Sequence, residues 1–161
     1  MNEKTSTQLP LTEIHLLEDC CAIEEKCADI YRHFGKIFFA NHDISTLWNK
    51  VASEEGHHAN LFRMAISTIK PGKTDKVPCN KNIKDIMNAL ELIHQDVETN
   101  RPSLAAAFDL ALKIENSLAE FHINSVLKFS NSKISELFLQ MEKYDQGHLE
   151  LLQNAIDSLR Y

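Results

Sequence analysis

A chain of 161 residues, 43% hydrophobic and 25% charged, has the size and composition of one soluble globular domain with a substantial core. Its formal net charge of −6 argues against nucleic acid as the main partner, and no apolar run approaches the ~20 residues of a membrane span. With only four Gly and four Pro, few turns and long helices are expected.

The first eleven residues are polar, lack the apolar core of a signal peptide, and read as frayed, with Thr12 as the first candidate helix cap. A long helix is predicted from about Glu13 to Ala40. Its apolar stripe is Leu17, Cys20, Glu24, Cys27, Tyr31, Phe34 and Phe38, with a carboxylate in the middle. Cys79 is the one other cysteine, and no two of the four form a C-x-x-C pair. Three thiols crowded into one helical segment suit a reduced, cytoplasmic setting better than a disulfide framework.

The link Asn41-His42-Asp43-Ile44 is short, so the second long helix runs antiparallel to the first, capped by Ser45 and ended by Lys70-Pro71-Gly72. Trp48, Val51, Phe62, Ala65 and Ile69 recur at steps of three and four, and the same rhythm passes through Glu55 and His58. Residues 71–82 are a linker with two prolines. A shorter amphipathic piece follows with Ile83, Ile86, Leu90, Ile93 and Val97 on one face. Together they can carry the chain along the length of a bundle, a crossover that leaves the helices on either side parallel.

Asn100-Arg101-Pro102-Ser103 then opens a third long helix to about Phe129, along Leu104, Phe108, Ala111, Glu115, Leu118, His122 and Val126. After the short turn Ser130-Asn131-Ser132, the fourth runs antiparallel to it. Its stripe is Ile134, Phe138, Met141, Asp145, His148, Leu152, Ala155 and Leu159. The expected architecture is a single all-α domain over residues 1–161. It is an up-down-down-up four-helix bundle whose long crossover contains a short helix.

Each long helix thus carries a carboxylate on its apolar stripe near the helix middle. Two contribute a lone Glu (Glu24, Glu115) and two contribute acid-x-x-His (Glu55/His58 and Asp145/His148). An ionised carboxylate that leaves water needs compensation worth several kcal/mol. No Lys or Arg lies on the four stripes to supply it. Four carboxylates and two imidazoles form a hard oxygen and nitrogen shell whose negative charge balances two divalent cations, so these six residues are the candidate metal ligands. Tyr31, two turns from Glu24, is either a ligand-bonding or electron-donating residue of the site or an ordinary core tyrosine. His122 is either a hydrogen-bonded core histidine or a group supporting the ligands, and Cys20 and Cys27 read as small buried hydrophobes. Glu25, Glu54, His57 and Glu142 read as solvated.

The pattern Glu24…Tyr31, Trp48…Glu55-x-x-His58-Ala59, Ala111-Leu112-x-Ile114-Glu115 and Asp145-x-Gly147-His148 resembles the ferritin-like superfamily. Within it, the spacing Ile-Tyr-x-x-Phe followed by Leu-Trp-x-x-x-Ala-x-Glu-Glu-x-His is similar to rubrerythrin domains, with bacterioferritin-type bundles close by. The resemblance covers almost the whole chain. It implies two iron ions bridged by Glu55 and the acid of the fourth helix. Glu24 with His58, and Glu115 with His148, would complete the separate shells. Asp145 departs from the family's usual Glu by one methylene. Leu118 and Ala111 surround Glu115 where typical rubrerythrins have a further carboxylate. No rubredoxin module with C-x-x-C pairs is present, which weakens the case for an autonomous peroxide reductase. The chain stops at Tyr161 without the fifth short helix of shell-forming ferritins, so a storage cage is not expected. The leading expectation is a cytoplasmic di-iron protein that oxidises Fe(II) with O2 or H2O2, served by an external electron donor and assembled as a homodimer. The alternatives are a non-catalytic zinc, manganese or iron site with a structural or sensing role, and a substrate oxygenase.

Overall fold

Pro10 sets the start of the first helix. Its φ of −52° and ψ of 144° leave the backbone extended, and its carbonyl accepts the Glu13 and Ile14 N–H groups at 3.0 and 3.2 Å. The computed structural model describes residues 8–72, 81–126, 128–129 and 131–159. Within them α1 spans Leu11–Ile37, α2 His42–Ser67, α3 Lys81–Thr99, α4 Leu104–Val126 and α5 Ser132–Leu159. Chain contacts divide the molecule into two compact units, Met1–Arg101 and Pro102–Tyr161. No helix among the described residues is long and apolar enough to cross a membrane.

In the first unit, α1 opens at Leu11, so Thr12 lies inside the helix instead of capping it. It closes at Ile37, three residues before Ala40. The cap of α2 is Asn41, not Ser45: the Asn41 side-chain oxygen accepts the Ile44 N–H at 3.2 Å and the helix begins at His42. Asn is as good a cap as Ser and comes first along the chain. Ser45 instead donates its hydroxyl to the Gly35 carbonyl at 2.9 Å and ties the turn together.

The contacts Glu25–Arg63, Tyr31–Trp48 and Ser45–Gly35 run in opposite order along α1 and α2, the signature of an antiparallel pair. Lys26–Glu91 (2.7 Å) and His33–Val97 (3.1 Å) run in the same order, so α3 lies parallel to α1. The Arg101 guanidinium reaches the Ile37 carbonyl at 2.6 Å, a cation on the negative end of α1. With neighbours on two sides, α1 buries Ile23, Ala28 and Ile30 beyond its predicted stripe. On α3, Ile83, Leu90 and Val97 are the buried positions.

One short element was not expected. Gln8–Leu9 (β1) pairs in parallel with Lys70–Pro71 (β2), and the Gly72 N–H donates to the Leu9 carbonyl at 2.8 Å. Leu9 is 2% exposed, so the chain is tied down there and not frayed. A side chain at Gly72 would come within 3.0 Å of the Leu9 carbonyl, which explains the glycine. The first seven residues and residues 73–80 of the linker, with Cys79, lie outside the described residues.

In the second unit, Ser103 caps α4 by accepting the Ala106 N–H at 3.1 Å. The helix ends at Val126, three residues short of Phe129. Asn131 caps α5, accepting the Lys133 N–H at 3.0 Å, and the Ser135 hydroxyl contacts the Val126 and Phe129 carbonyls across the turn. Ser130 lies outside the described residues. Phe129 stacks on Phe138 with ring centres 5.1 Å apart, and the pairings His122–Asp145 and Glu115–His148 continue in the opposite order, so α4 and α5 are antiparallel. The α5 stripe is buried from Ile134 to Leu152 and emerges at Leu159, 48% exposed.

Candidate metal centre

The helical rhythm of α1 and α2 points Glu24, Glu55 and His58 inward, where they are 0%, 0% and 2% exposed. Antiparallel packing then brings them together. His58 Nδ1 lies 2.9 Å from Glu55 Oε2, one turn back on its own helix, and 3.5 Å from Glu24 Oε2 on α1. One potential ligand atom from each of the three residues lies within 4.8 Å of the others.

Burial by itself would lower the His58 pKa from its ordinary 6.5. Hydrogen bonding and charge from Glu24 and Glu55 overcome that and push it up to about 9. An imidazole held protonated between two buried carboxylates is a site organised around positive charge. A divalent cation could take the place of that proton.

The Lys and Arg ion pairs Lys26–Glu91, Arg32–Asp29, Lys50–Glu54 and Arg63–Glu25 lie among exposed or half-exposed groups on the outer faces. Glu25, expected as solvated, is exposed and carries the last of these pairs. His57 is exposed and Glu54 half-buried.

In the second unit, Glu115 and Asp145 are both 0% exposed and His148 is 4% exposed. His148 Nδ1 is 3.3 Å from Glu115 Oε2 across the helix pair. Asp145 behaves differently from its counterpart Glu55. Its Oδ2 lies 2.6 Å from Nδ1 of His122 on α4. Both acids of this unit pair with imidazoles across the helix interface. Among the described residues, Asp145 joins no cluster of three or more potential ligands.

Tyr31 is fully buried. Its ring stacks on Trp48 at 5.9 Å and packs 6.3 Å from Phe34, which meets Trp48 edge-on at 5.0 Å. This aromatic block stands about two turns from Glu24 along α1 and two turns from Glu55 along α2. Cys20, Cys21 and Cys27 are buried thiols. Burial raises the Cys21 pKa, opposed by Arg63 and reinforced by Glu24, which keeps that thiol protonated at neutral pH. What the spacing alone missed is the His122–Asp145 bond. The signal available was only that His122 shares the Glu115 stripe two turns on.

The donor chemistry fits a divalent metal. Buried carboxylate oxygens and imidazole nitrogens suit iron, manganese or zinc, and the first unit gathers three such groups at one point. The family model described as Rubrerythrin matches residues 15–156, nearly the full length of the chain and a span within which all six candidate ligands fall. No curated protein and no solved structure matches the chain.

Proposed function

The chain belongs to the rubrerythrin family, and from that premise we propose that it is a di-iron carboxylate protein that oxidises Fe(II) with O2 or H2O2. The observation that carries this reading is the buried Glu24–Glu55–His58 group within a chain of that family. In this reading Glu24, Glu55 and His58 serve one ion, and Glu115, Asp145 and His148 provide ligands for the other, in an up-down-down-up bundle. Bound iron would supply the electrons that the oxidant takes up. The protein's own part is to hold and release charge. His58 gives up its Nδ1 proton as metal arrives, and the carboxylates balance the cation inside a dry core. Tyr31 serves as a nearby hydrogen-bond or electron donor, and an external reductant returns the centre to its ferrous state. A cytoplasmic homodimer completes the reading, with sedimentation as the check on assembly.

The test is to load the metal-free protein with Fe(II) anaerobically and follow the ultraviolet oxo-to-iron absorbance as air is admitted. A rapid rise is expected for the natural chain and none for Glu55→Ala, whose helical circular dichroism should persist. Oxidation at the natural rate in that variant overturns the assignment of the site. A second reading, a zinc or manganese site with a structural or sensing role, is favoured by the engagement of Asp145 with His122. Tight zinc that iron cannot displace would select it.

A further inference from the structure

The second unit carries a cavity that the candidate ligands do not line. It is a groove of about 300 Å³ between the first turns of α4 and the last turns of α5, open to solvent on one side. Leu104, Phe108 and Leu112 wall it from α4, and Ile156 and Leu159 from α5. That volume is at the low end for small-molecule sites: it takes a ring or a short alkyl chain, not a helix.

The polar side chains at its edge offer acceptors. Asp109 supplies a carboxylate from α4, and Gln153 supplies an amide from α5. The Gln153 side-chain nitrogen donates to Asp157 Oδ1 at 3.0 Å, because a carboxylate can only accept. That bond commits the donor end of the amide to Asp157 and leaves its oxygen as the end for an incoming N–H. Among the described residues, Asp109 pairs with no cation, and no Lys or Arg lines the groove. An apolar slot edged by one negative charge and one amide oxygen is complementary to an apolar group that carries an ammonium.

We propose that this groove binds a small hydrophobic amine. Its ring or alkyl chain lies against Phe108, Leu112 and Ile156, and its ammonium meets Asp109 and the Gln153 oxygen. A carboxylate ligand would face Asp109 with like charge, and a neutral one would leave that charge unmatched. Burial of the apolar tail supplies most of the affinity, since Asp109 is exposed and an ion pair there is screened by water and salt. The proposal does not depend on which metal the chain holds.

The experiment is a titration of the full chain, prepared with Zn(II) to keep it diamagnetic, with 2-phenylethylamine at about pH 7, followed through backbone amide NMR shifts. Saturable shifts confined to the stretches that line the groove, 104–112 and 153–159, are expected, with a Kd of about 1 mM or tighter for a ligand of this size. 2-Phenylethanol should bind about fivefold more weakly, and 3-phenylpropionate more weakly still. Asp109→Asn should weaken the amine about fivefold and leave the alcohol unchanged, so that the two become equal. Ala105→Phe, at an exposed lining position, should fill the groove and abolish binding of both while the helical circular dichroism persists.

An alcohol or acid that binds the natural chain as tightly as the amine overturns the proposal, as does an Asp109→Asn variant that keeps full affinity for the amine. No saturable shift at ~10 mM amine, or shifts centred on other residues, overturns it too. If Ala105→Phe changes the sedimentation coefficient of the chain, the groove is covered by a second copy and the proposal falls. None of these outcomes bears on iron oxidation, which the loading experiment with Glu55→Ala decides.

Discussion

His58 is pulled in opposite directions by its surroundings, and the outcome makes metal binding a proton-linked event. Burial favours the neutral ring, but Glu24 and Glu55 hold it charged until about pH 9. Below that pH a metal ion must displace the proton, so affinity for the first ion should rise as pH climbs from 6.5 towards 9 and level off above. Calorimetry of Zn(II) binding at pH 7.5 in two buffers of different ionisation heat should show proton release. A heat independent of buffer would contradict the charged state of His58. The same shift acts on the metal-free fold. Because the folded pKa lies above the unfolded value, the stabilisation is fully present below about 6.5 and is lost as pH rises through about 9. Metal-free protein should therefore melt at a lower temperature at pH 10 than at pH 7, and His58→Gln should flatten that difference.

At the scale of the helices, the caps and glycines give clean tests. Asn41→Ala should destabilise the fold by about 1 kcal/mol through loss of the α2 cap, whereas Ser103→Ala does the same at α4. Gly147 lies inside α5 with nothing within 4 Å of the place a Cβ would occupy. Gly147→Ala should thus stabilise by roughly 0.5–1 kcal/mol in urea denaturation, from backbone entropy alone. A loss of stability there would mean that the space is needed for something other than the helix. The existence of these helices is legible in the sequence because amphipathic periodicity is local. The stripes Leu17 to Phe34, Trp48 to Phe62 and Ile134 to Leu152 are buried as the rhythm requires. Helix ends are less legible, since Asn41 and Ser45 compete on nearly equal terms, Pro10 precedes α1 with no side-chain cap to signal it, and only the folded turn decides. The β1–β2 pairing joins residues some sixty positions apart, and periodicity carries no record of it. Position on a stripe likewise shows that Asp145 and His122 face inward, but not that they would bond each other. That choice depends on side-chain length and helix rotation, which exist only once α4 and α5 pack.

Among the described residues of the whole molecule, eight polar or charged side chains are buried, six of them the carboxylates and imidazoles proposed as ligands. A metal that binds the folded chain and not the unfolded one raises stability by about 2.7 kcal/mol per site at a free concentration 100 times its Kd. For a domain of this size that corresponds to a rise in Tm of roughly 5–10 °C per ion, reversed by a chelator. The same melting curve with and without Fe(II) under argon would contradict a role for metal in the fold. The most direct measurement is elemental analysis of the purified chain after anaerobic loading with Fe(II) and removal of the excess. Two irons per chain, falling in Glu55→Ala, is the predicted result. No retained iron in the natural chain would contradict the account at its centre.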